Sequence, residues 1–336
     1  MHAALPLACL LAVTLPAAAA ERPGPDWRLE TPAAAWRPRD SAGEAVHAGR
    51  MWILGGWYTS QEAPPRDVWS SADGRDWRLE TAEAPWIHSD LPMTAAFAGR
   101  LWIMGGWHNG RLPGHSAGNA VWSSADGRSW RLETASAAWS PRLAAGCVEF
   151  KGRLWILGGT GNYYFGTDDD LRNDVWSSAD GRDWRLETAH AGWSPRAYHQ
   201  AVVHEGRIHV LGGGNYTPTY HARNDVWSSA DGVTWRRETA AAPWAPRLWF
   251  AAATYRDRMW VLGGWSNHPS TDWGDVWTSA DGREWERLTA GTMWKGRHEH
   301  STFVFHDRLW VAGGHARPLS SEVWSLSLPE NFFSPR

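Results

Sequence analysis

The stretch GRLWILGG at residues 152–159, followed after a polar loop by NDVWSSADGRDWRLET at residues 173–188, decides how this chain folds. It contains three short apolar or alternating runs, separated by the Gly158-Gly159 doublet and by the Asp180-Gly181 pair. An Asp-Gly pair favours a tight turn between antiparallel strands, because glycine accepts a positive φ. With a fourth run at residues 143–150, one copy predicts a four-stranded antiparallel sheet of about fifty residues, which is too small to be stable alone.

The pattern recurs six times. Glycine doublets begin at residues 55, 105, 158, 212, 263 and 313, and Val-Trp pairs begin at residues 68, 121, 175, 226, 276 and 323. A corner of the form Trp-x-Pro-Arg precedes four doublets; the second copy reads WIHS at 86–89 and the sixth reads WKGR at 294–297. From the corner Trp to the doublet is 19 residues in every copy. Length variation is therefore confined to one loop per repeat.

Six such repeats predict an all-β fold, a six-bladed β-propeller of four-stranded antiparallel blades. The sequence also indicates how the ring closes. Residues 26–31, DWRLET, match the last strand of a repeat that lacks the first three strands, and the sixth repeat ends after its third strand at residues 323–327. We expect the amino-terminal strand to complete the last blade and remove an open edge.

A strand that ends in Gly-Gly, a strand that carries an aromatic residue, a following Trp and a Pro-Arg corner together resemble kelch repeats. The resemblance covers residues 26–328 and is specific for fold, whereas propellers of this type host many functions. The SxDGxxW turn, for example Ser178 to Trp184, is also similar to the Asp-box turn of sialidase-type propellers but is one residue shorter. We interpret it as a structural hairpin turn.

Composition limits the function. The chain has 336 residues and a net charge of −3, so its charge does not indicate the basic surface that is typical of nucleic-acid binding. Its most unusual feature is a content of 28 Trp. Most of these Trp occupy repeat positions and are expected in the core; Trp57, Trp107, Trp249, Trp265 and Trp273 have no repeat position.

The amino terminus predicts export. The apolar run of residues 3–20 ends in small residues, as in a secretory signal, although no Lys or Arg precedes it; an uncleaved membrane anchor is the alternative. The predicted domains are a signal peptide at 1–20, the propeller at 21–328 and a tail at 329–336. A secreted or periplasmic protein cleaved there keeps Cys147 alone, and no disulfide within the chain is expected.

Blade geometry places the long, variable loops on one face, where function usually lies on a rigid scaffold. The corner arginines are predicted to reach that face around the mouth of the channel, where guanidinium groups suit a carboxylate ligand. The alternative is that each one pairs with the Asp before Val-Trp, at residues 67, 174, 225 or 275. These candidate ligand-binding arginines are Arg39, Arg142, Arg196, Arg247 and Arg297.

A second candidate set consists of aromatic residues that follow the doublets. Aromatic faces beside amide side chains suit a sugar ring or a peptide side chain, and the alternative is that they pack over the rim. The set is Trp57, Trp107, Trp265, Tyr163 and Tyr216.

Catalytic signals are weak, and the candidates are Glu299, His298 and Tyr198. His298 and His300 share a strand face, which permits a metal site, but we favour a structural role and predict no metal or cofactor. Residues 196–199, RAYH, look like the Tyr-His strand of copper radical oxidases such as galactose oxidase; the further domain that those enzymes need has no counterpart in this chain.

The leading hypothesis is an exported, monomeric propeller that binds a carbohydrate or an acidic small molecule on the long-loop face. The first alternative is a non-metal enzyme on an acidic sugar, because the sialic acid mutarotases are similar in architecture: exported six-bladed kelch propellers. The second alternative is a platform for protein partners. Neither nucleic acid nor, after signal cleavage, a membrane is an expected partner.

Overall fold

Each of the six repeats forms one four-stranded antiparallel sheet in the computed structural model, which describes residues 20–334. The predicted all-β, six-bladed propeller is therefore confirmed. The predicted signal peptide lies outside the described residues apart from Ala20. Within the described range, no helix is long and apolar enough to span a membrane.

Strands are ordered from the axis outward in each blade. The innermost strands are Gly43–His47, Met93–Phe97, Gly146–Phe150, Gln200–His204, Ala251–Tyr255 and Ser301–Phe305. The second strands are Arg50–Leu54, Arg100–Met104, Arg153–Thr160, Arg207–Asn215, Arg258–Leu262 and Arg308–Ala312. The third strands are Val68–Ser71, Val121–Ser124, Leu171–Ser178, His221–Ser229, Val276–Ser279 and Val323–Leu326. The outermost strands are Arg78–Thr81, Trp130–Thr134, Trp184–Thr188, Arg236–Thr239, Glu286–Thr289 and Arg28–Thr31.

The innermost strands contact one another in sequence around the axis, and the strand of blade 6 contacts that of blade 1. Two loops on the long-loop face carry small hairpins of their own, Trp107–His108 with Ser116–Ala117 and Trp265–Asn267 with Ser270–Asp272. In blades 3 and 4 the second and third strands instead extend through the glycine doublet. The scaffold is thus regular, and the differences between blades concentrate on one face.

Paired tryptophans hold each blade together. The corner Trp meets the Trp of the outermost strand edge to face, with ring centroids 5.9 Å apart for Trp36 and Trp77. All six blades contain this pair. Edge-to-face contact suits the charge distribution of aromatic rings. This explains why both Trp positions recur in every copy.

The Asp-Gly turn joins neighbouring blades. In blade 1, Ser71 Oγ accepts a hydrogen bond from Gly74 N at 2.8 Å, and Asp73 Oδ1 accepts one from Asp76 N at 2.9 Å. Gly74 has a φ of +77°, and a Cβ there would lie 2.1 Å from the Trp310 ring of blade 6. Glycine is therefore required both by the turn and by the close approach, and the structural interpretation of this turn is confirmed.

The amino-terminal strand closes the ring as predicted. Residues Arg28–Thr31 pair antiparallel with Val323–Leu326, and Trp27 supplies the outer partner of Trp294 in blade 6. A further strand was not predicted: Ala20–Pro23 adds a parallel edge to blade 5 beside Glu286–Thr289. Two phenylalanines of the predicted tail, at 332 and 333, pack against the core of blades 5 and 6.

Truncation tests the closure. A chain that begins at Pro32 should melt well below a chain that begins at Glu21, because it exposes the edge of blade 6 and loses Trp27. Burial of one Trp is worth roughly 4–6 kcal/mol as an upper bound. A chain that begins at Pro25 is the control, since it lacks only the parallel edge strand. Differential scanning calorimetry that gives equal melting temperatures for the Pro25 and Pro32 chains would contradict a closing role.

Candidate functional site

The corner arginines are buried in ion pairs inside their own blades. Arg142 donates hydrogen bonds to both oxygens of Asp174, at 2.7 and 2.9 Å, and to Gly158 O at 2.9 Å. Burial acts to raise the pKa of Asp174, but the hydrogen bonds and charge of Arg142 outweigh it, so this pKa lies below its ordinary value. The equivalent pairs are Arg39 with Asp67, Arg196 with Asp225, Arg247 with Asp275, and Arg297 with Glu322.

This pairing corrects the expectation of an arginine-lined mouth. Each of the five arginines is at most 2 % exposed. Its guanidinium group already pairs with a carboxylate of the same blade. The carboxylate is itself satisfied, since Trp176 Nε1 also donates to Asp174 at 2.7 Å. The sequence-based alternative, pairing with the acid before Val-Trp, is therefore what the structure contains. The arginines fix the corners instead of forming a ring of available cations.

A collar of six residues surrounds the axis just after these corners. Its members lie two positions beyond the last corner residue and share a left-handed φ between 50° and 57°: Ser41, Leu91, Ala144, Tyr198, Trp249 and Glu299. At five of the six junctions between blades, the N–H of one member donates to the carbonyl of the preceding member, at 2.8–3.1 Å. Left-handed backbone is unfavourable for bulky side chains such as Tyr198 and Trp249, and such strain is concentrated at functional sites.

The collar divides the axial space into two cavities. Below it, a cavity of about 160 Å³ is lined by all six collar residues. Above it, on the long-loop face, a mouth pocket of about 360 Å³ receives side chains from all six blades. Trp249 and Glu299 line both cavities. These two collar residues therefore form the floor of the mouth pocket.

One side of the mouth pocket is aromatic. Trp249, Trp265 and Tyr216 pack on one another, with ring centroids 4.7–5.9 Å apart. Tyr163 stacks on Tyr164 at 4.1 Å, and both rings line the pocket. These residues come from blades 3, 4 and 5, which form a continuous aromatic wall.

The opposite side is polar and is built by blades 6, 1 and 2. The residue just after the corner is His298, Asp40 or Asp90 in these blades, whereas it is Leu or Ala in the other three. His315 follows the doublet of blade 6, and its Nδ1 lies 3.3 Å from Asp40 Oδ2. The mouth therefore has two chemically different halves.

Three carboxyl groups lie close together here: Asp40 and Glu299 line the polar half, and Asp90 is buried beside them. Burial raises the pKa of Glu299 well above its ordinary value, and the charges of Asp40 and Asp90 raise it further. Burial, followed by the charge of Asp40, has the same effect on Asp90. Tyr163 Oη lies 3.4 Å from Glu299 Oε1, and His298 Nε2 lies 3.6 Å from Glu299 Oε2. The polar half thus offers both donors and acceptors to a ligand.

Two arginines reach the rim of the mouth. Arg111 lies over the Tyr164 ring, with its guanidinium carbon 4.4 Å from the centroid. Arg317 forms an ion pair with Asp272 and donates to Ser270 Oγ at 3.0 Å. Cationic groups at this site therefore come from the loops and not from the corners.

Among the predicted site residues, Trp57, Trp265, Tyr163 and Tyr216 line the mouth pocket, as do His298 and Glu299. Trp107 does not: it is 1 % exposed, packs behind Tyr163 and Tyr164, and donates from Nε1 to Gly110 O at 2.8 Å. Tyr198 is a buried collar residue beside Trp249, and it lines the lower cavity.

Sequence reasoning missed Asp40, Asp90, His315, Arg111 and Tyr164. The signal for the first two was present, because the positions one and two after the corner differ between copies while the corner itself is nearly constant. The repeat does not fix the residue type at these positions, and the carboxyl and imidazole groups of the site are found there. His315 directly follows its doublet, a position that Trp occupies in three other copies, so a signal was present for it as well. Arg111 and Tyr164 lie further into loops of different lengths and carry no such signal.

No protein-family model matches this sequence, and no curated protein is significantly similar to it.

Removal of one buried corner charge should be costly. We expect Arg142→Leu to lower the free energy of unfolding by about 3–5 kcal/mol, because Asp174 is left buried without its cation. Arg131→Leu is the matched control: its side chain is exposed and pairs with Glu133, so about 1 kcal/mol or less is expected. Urea denaturation that gives the two variants equal stability would contradict the structural role.

The lower cavity predicts a pH dependence of stability. Glu44 lines this cavity and is half-buried, and its removal from bulk water raises its pKa from 4.5 to about 8. Between these values the unfolded chain releases a proton that the folded chain keeps, so stability falls as pH rises, by at most about 1.4 kcal/mol per pH unit. Urea titrations from pH 5 to 8 should show a shallower fall for Glu44→Gln; an identical slope would refute the assignment.

Proposed function

We propose that this protein is an exported propeller that binds a carbohydrate in the mouth pocket. The observation that carries the proposal is the division of one axial pocket into an aromatic wall and a carboxyl- and imidazole-bearing wall. A sugar ring has the matching composition, with apolar C–H faces and hydroxyl groups around its edge. Each half of the pocket therefore has a partner on the same ligand.

The aromatic half supports stacking. Trp265 and Tyr216 belong to different blades, and their edge-to-face arrangement holds each ring in place. Trp249 packs against the collar residue Tyr198, with ring centroids 5.2 Å apart. A wall fixed in this way keeps its shape before the ligand arrives, which reduces the entropy lost on binding.

The polar half supports recognition of hydroxyl groups. Asp40 and Glu299 line the pocket with nearly inaccessible side chains, and His298 and His315 lie beside them. Buried polar groups bind strongly to ligands that satisfy them and reject ligands that do not. Orientation of the sugar would be set on this side.

Of the two ligand classes that the sequence suggested, a carbohydrate has better support than an acidic small molecule, and a neutral or amino-bearing sugar suits the pocket best. The main argument for an acidic ligand was a ring of available guanidinium groups, and this argument fails because the corner arginines are paired with carboxylates. Only cations at the rim, such as Arg111, could bind such a ligand. The enzyme on an acidic sugar loses the same argument. The protein platform has no specific observation in its favour.

Two further parts of the proposal, the type of blade and export, rest on the sequence. The Gly-Gly, Val-Trp and Trp-x-Pro-Arg positions favour the kelch type of blade. The apolar run of residues 3–20 favours export with cleavage after Ala20. The protein purified from the exported fraction is therefore expected to begin at Glu21 when its amino terminus is sequenced.

A sugar titration tests the function. Calorimetric titration with neutral hexoses, amino sugars and uronic acids should find binding, strongest for a neutral or amino sugar. Tyr216→Ala should weaken it about tenfold, because one stacking face is lost.

Trp122→Ala is the matched control, since Trp122 is a half-buried aromatic residue of blade 2 outside the mouth pocket. Its affinity should equal that of the unmodified protein. Absence of binding to every sugar, or equal affinities for the Tyr216 variant and the unmodified protein, would overturn the proposal.

A further inference from the structure

We propose that Asp40, His298 and His315 bind one divalent transition-metal ion in the polar half of the mouth pocket. One ligand atom from each residue lies within 4.8 Å of the others. Two imidazole nitrogens with one carboxylate oxygen suit Zn²⁺ and neighbouring first-row ions, whereas Ca²⁺ and Mg²⁺ prefer oxygen ligands alone. The inference concerns the same pocket as the carbohydrate but does not depend on it.

A carboxylate behind His298 prepares this histidine as a ligand. His298 Nδ1 lies 2.6 Å from Asp272 Oδ1, and Asp272 is held in turn by an ion pair with Arg317. A carboxylate acceptor at this distance places the imidazole proton on Nδ1 and leaves the lone pair on Nε2. Metal-binding histidines commonly have such a partner, which fixes the tautomer and the ring orientation.

His315 supplies the second imidazole from the side of the solvent. Its ring is stacked on that of His298, with centroids 4.9 Å apart and an angle of 14° between the planes. A shared ion requires the ligand atoms to approach more closely, since Zn–N bonds are about 2.0–2.1 Å long. The His315 side chain is 33 % exposed and its Nδ1 already lies 3.3 Å from Asp40 Oδ2, so a small movement of this ring toward His298 Nε2 would close the site. The backbone of His315 is held by hydrogen bonds to His298.

Further carboxyl oxygens lie near the three proposed ligands. Glu299 Oε2 lies 3.6 Å from His298 Nε2 and offers a further oxygen. Asp90 is 1 % exposed, and within residues 20–334 neither of its carboxylate oxygens has a hydrogen-bond partner. Buried polar atoms without a partner are costly, and a bound ion with its water ligands would offset that cost.

The site differs from the histidine pair that the sequence suggested. His300 lies in the lower cavity against Trp294, with ring centroids 5.5 Å apart, and is not among the three ligands. The second histidine comes instead from the loop after the last doublet. Three protein ligands at the wall of an open pocket leave coordination positions for water or for a ligand hydroxyl, as in catalytic metal sites.

Metal titration of the chelator-treated protein tests the inference. Calorimetry with Zn²⁺ should give one ion per chain, and Co²⁺ should give a visible absorption band of nitrogen and oxygen ligation. His315→Ala and Asp40→Asn should abolish both signals. Asp272→Asn should weaken binding about 10- to 100-fold, because His298 loses its orienting partner.

His108→Ala is the matched control. His108 forms another histidine pair with His88, with ring centroids 5.9 Å apart, and the hydrogen bonds of this pair involve no carboxylate. This variant should bind Zn²⁺ normally. Unchanged binding by a folded His315→Ala variant, or no stoichiometric binding by the unmodified protein, would overturn the metal site. Failure of the sugar titration alone would leave it standing, since the metal titration contains no sugar.

Discussion

The buried pair between a corner arginine and the acid before Val-Trp is the interaction on which the mouth depends. Arg142 joins the corner to Asp174 and to the carbonyl of Gly158, so it ties the start of one strand to the ends of two others. The backbone beyond the corner is then held in place, and the next two residues are directed toward the axis. The collar follows from that constraint, and its chain of backbone hydrogen bonds links the blades around the mouth.

The scaffold and the site use different positions of the same repeat. Tryptophan pairs and Asp-Gly turns are nearly constant because they bury large surfaces and allow little change in shape. The collar residues and their neighbours face the axis, where packing limits them less. Blades 3, 4 and 5 bring aromatic residues to the pocket from the collar and the loops, while blades 6, 1 and 2 carry acids and histidines at or beside the corner. A nearly symmetric ring thereby holds an asymmetric pocket, which a ligand with one apolar and one polar side requires.

Much of the fold could be predicted because it is set by short-range patterns. The Asp180-Gly181 turn, the doublets and the constant spacing from corner to doublet each specify local geometry. Closure by residues 26–31 was predicted because a solitary last strand needs a partner. For the corner arginines the sequence left two alternatives open, an arginine-lined mouth and pairing with the acid before Val-Trp, and the structure contains the second. The sequence identified the five corner arginines. It did not specify the direction of their side chains, which decides whether a guanidinium group faces solvent or a carboxylate.

The sequence alone determined the number of blades, the strand order, the closing strand and the face that carries the long loops, because these depend on periodicity and on turn chemistry. Only the tertiary structure decided which side chains meet at the axis. Asp40, Asp90, His298 and His315 are separated by up to 275 positions in the chain, and the ring closure joins them between blades 6, 1 and 2. The burial of several carboxyl groups in one place likewise results from the contact between blades, because these groups come from different repeats.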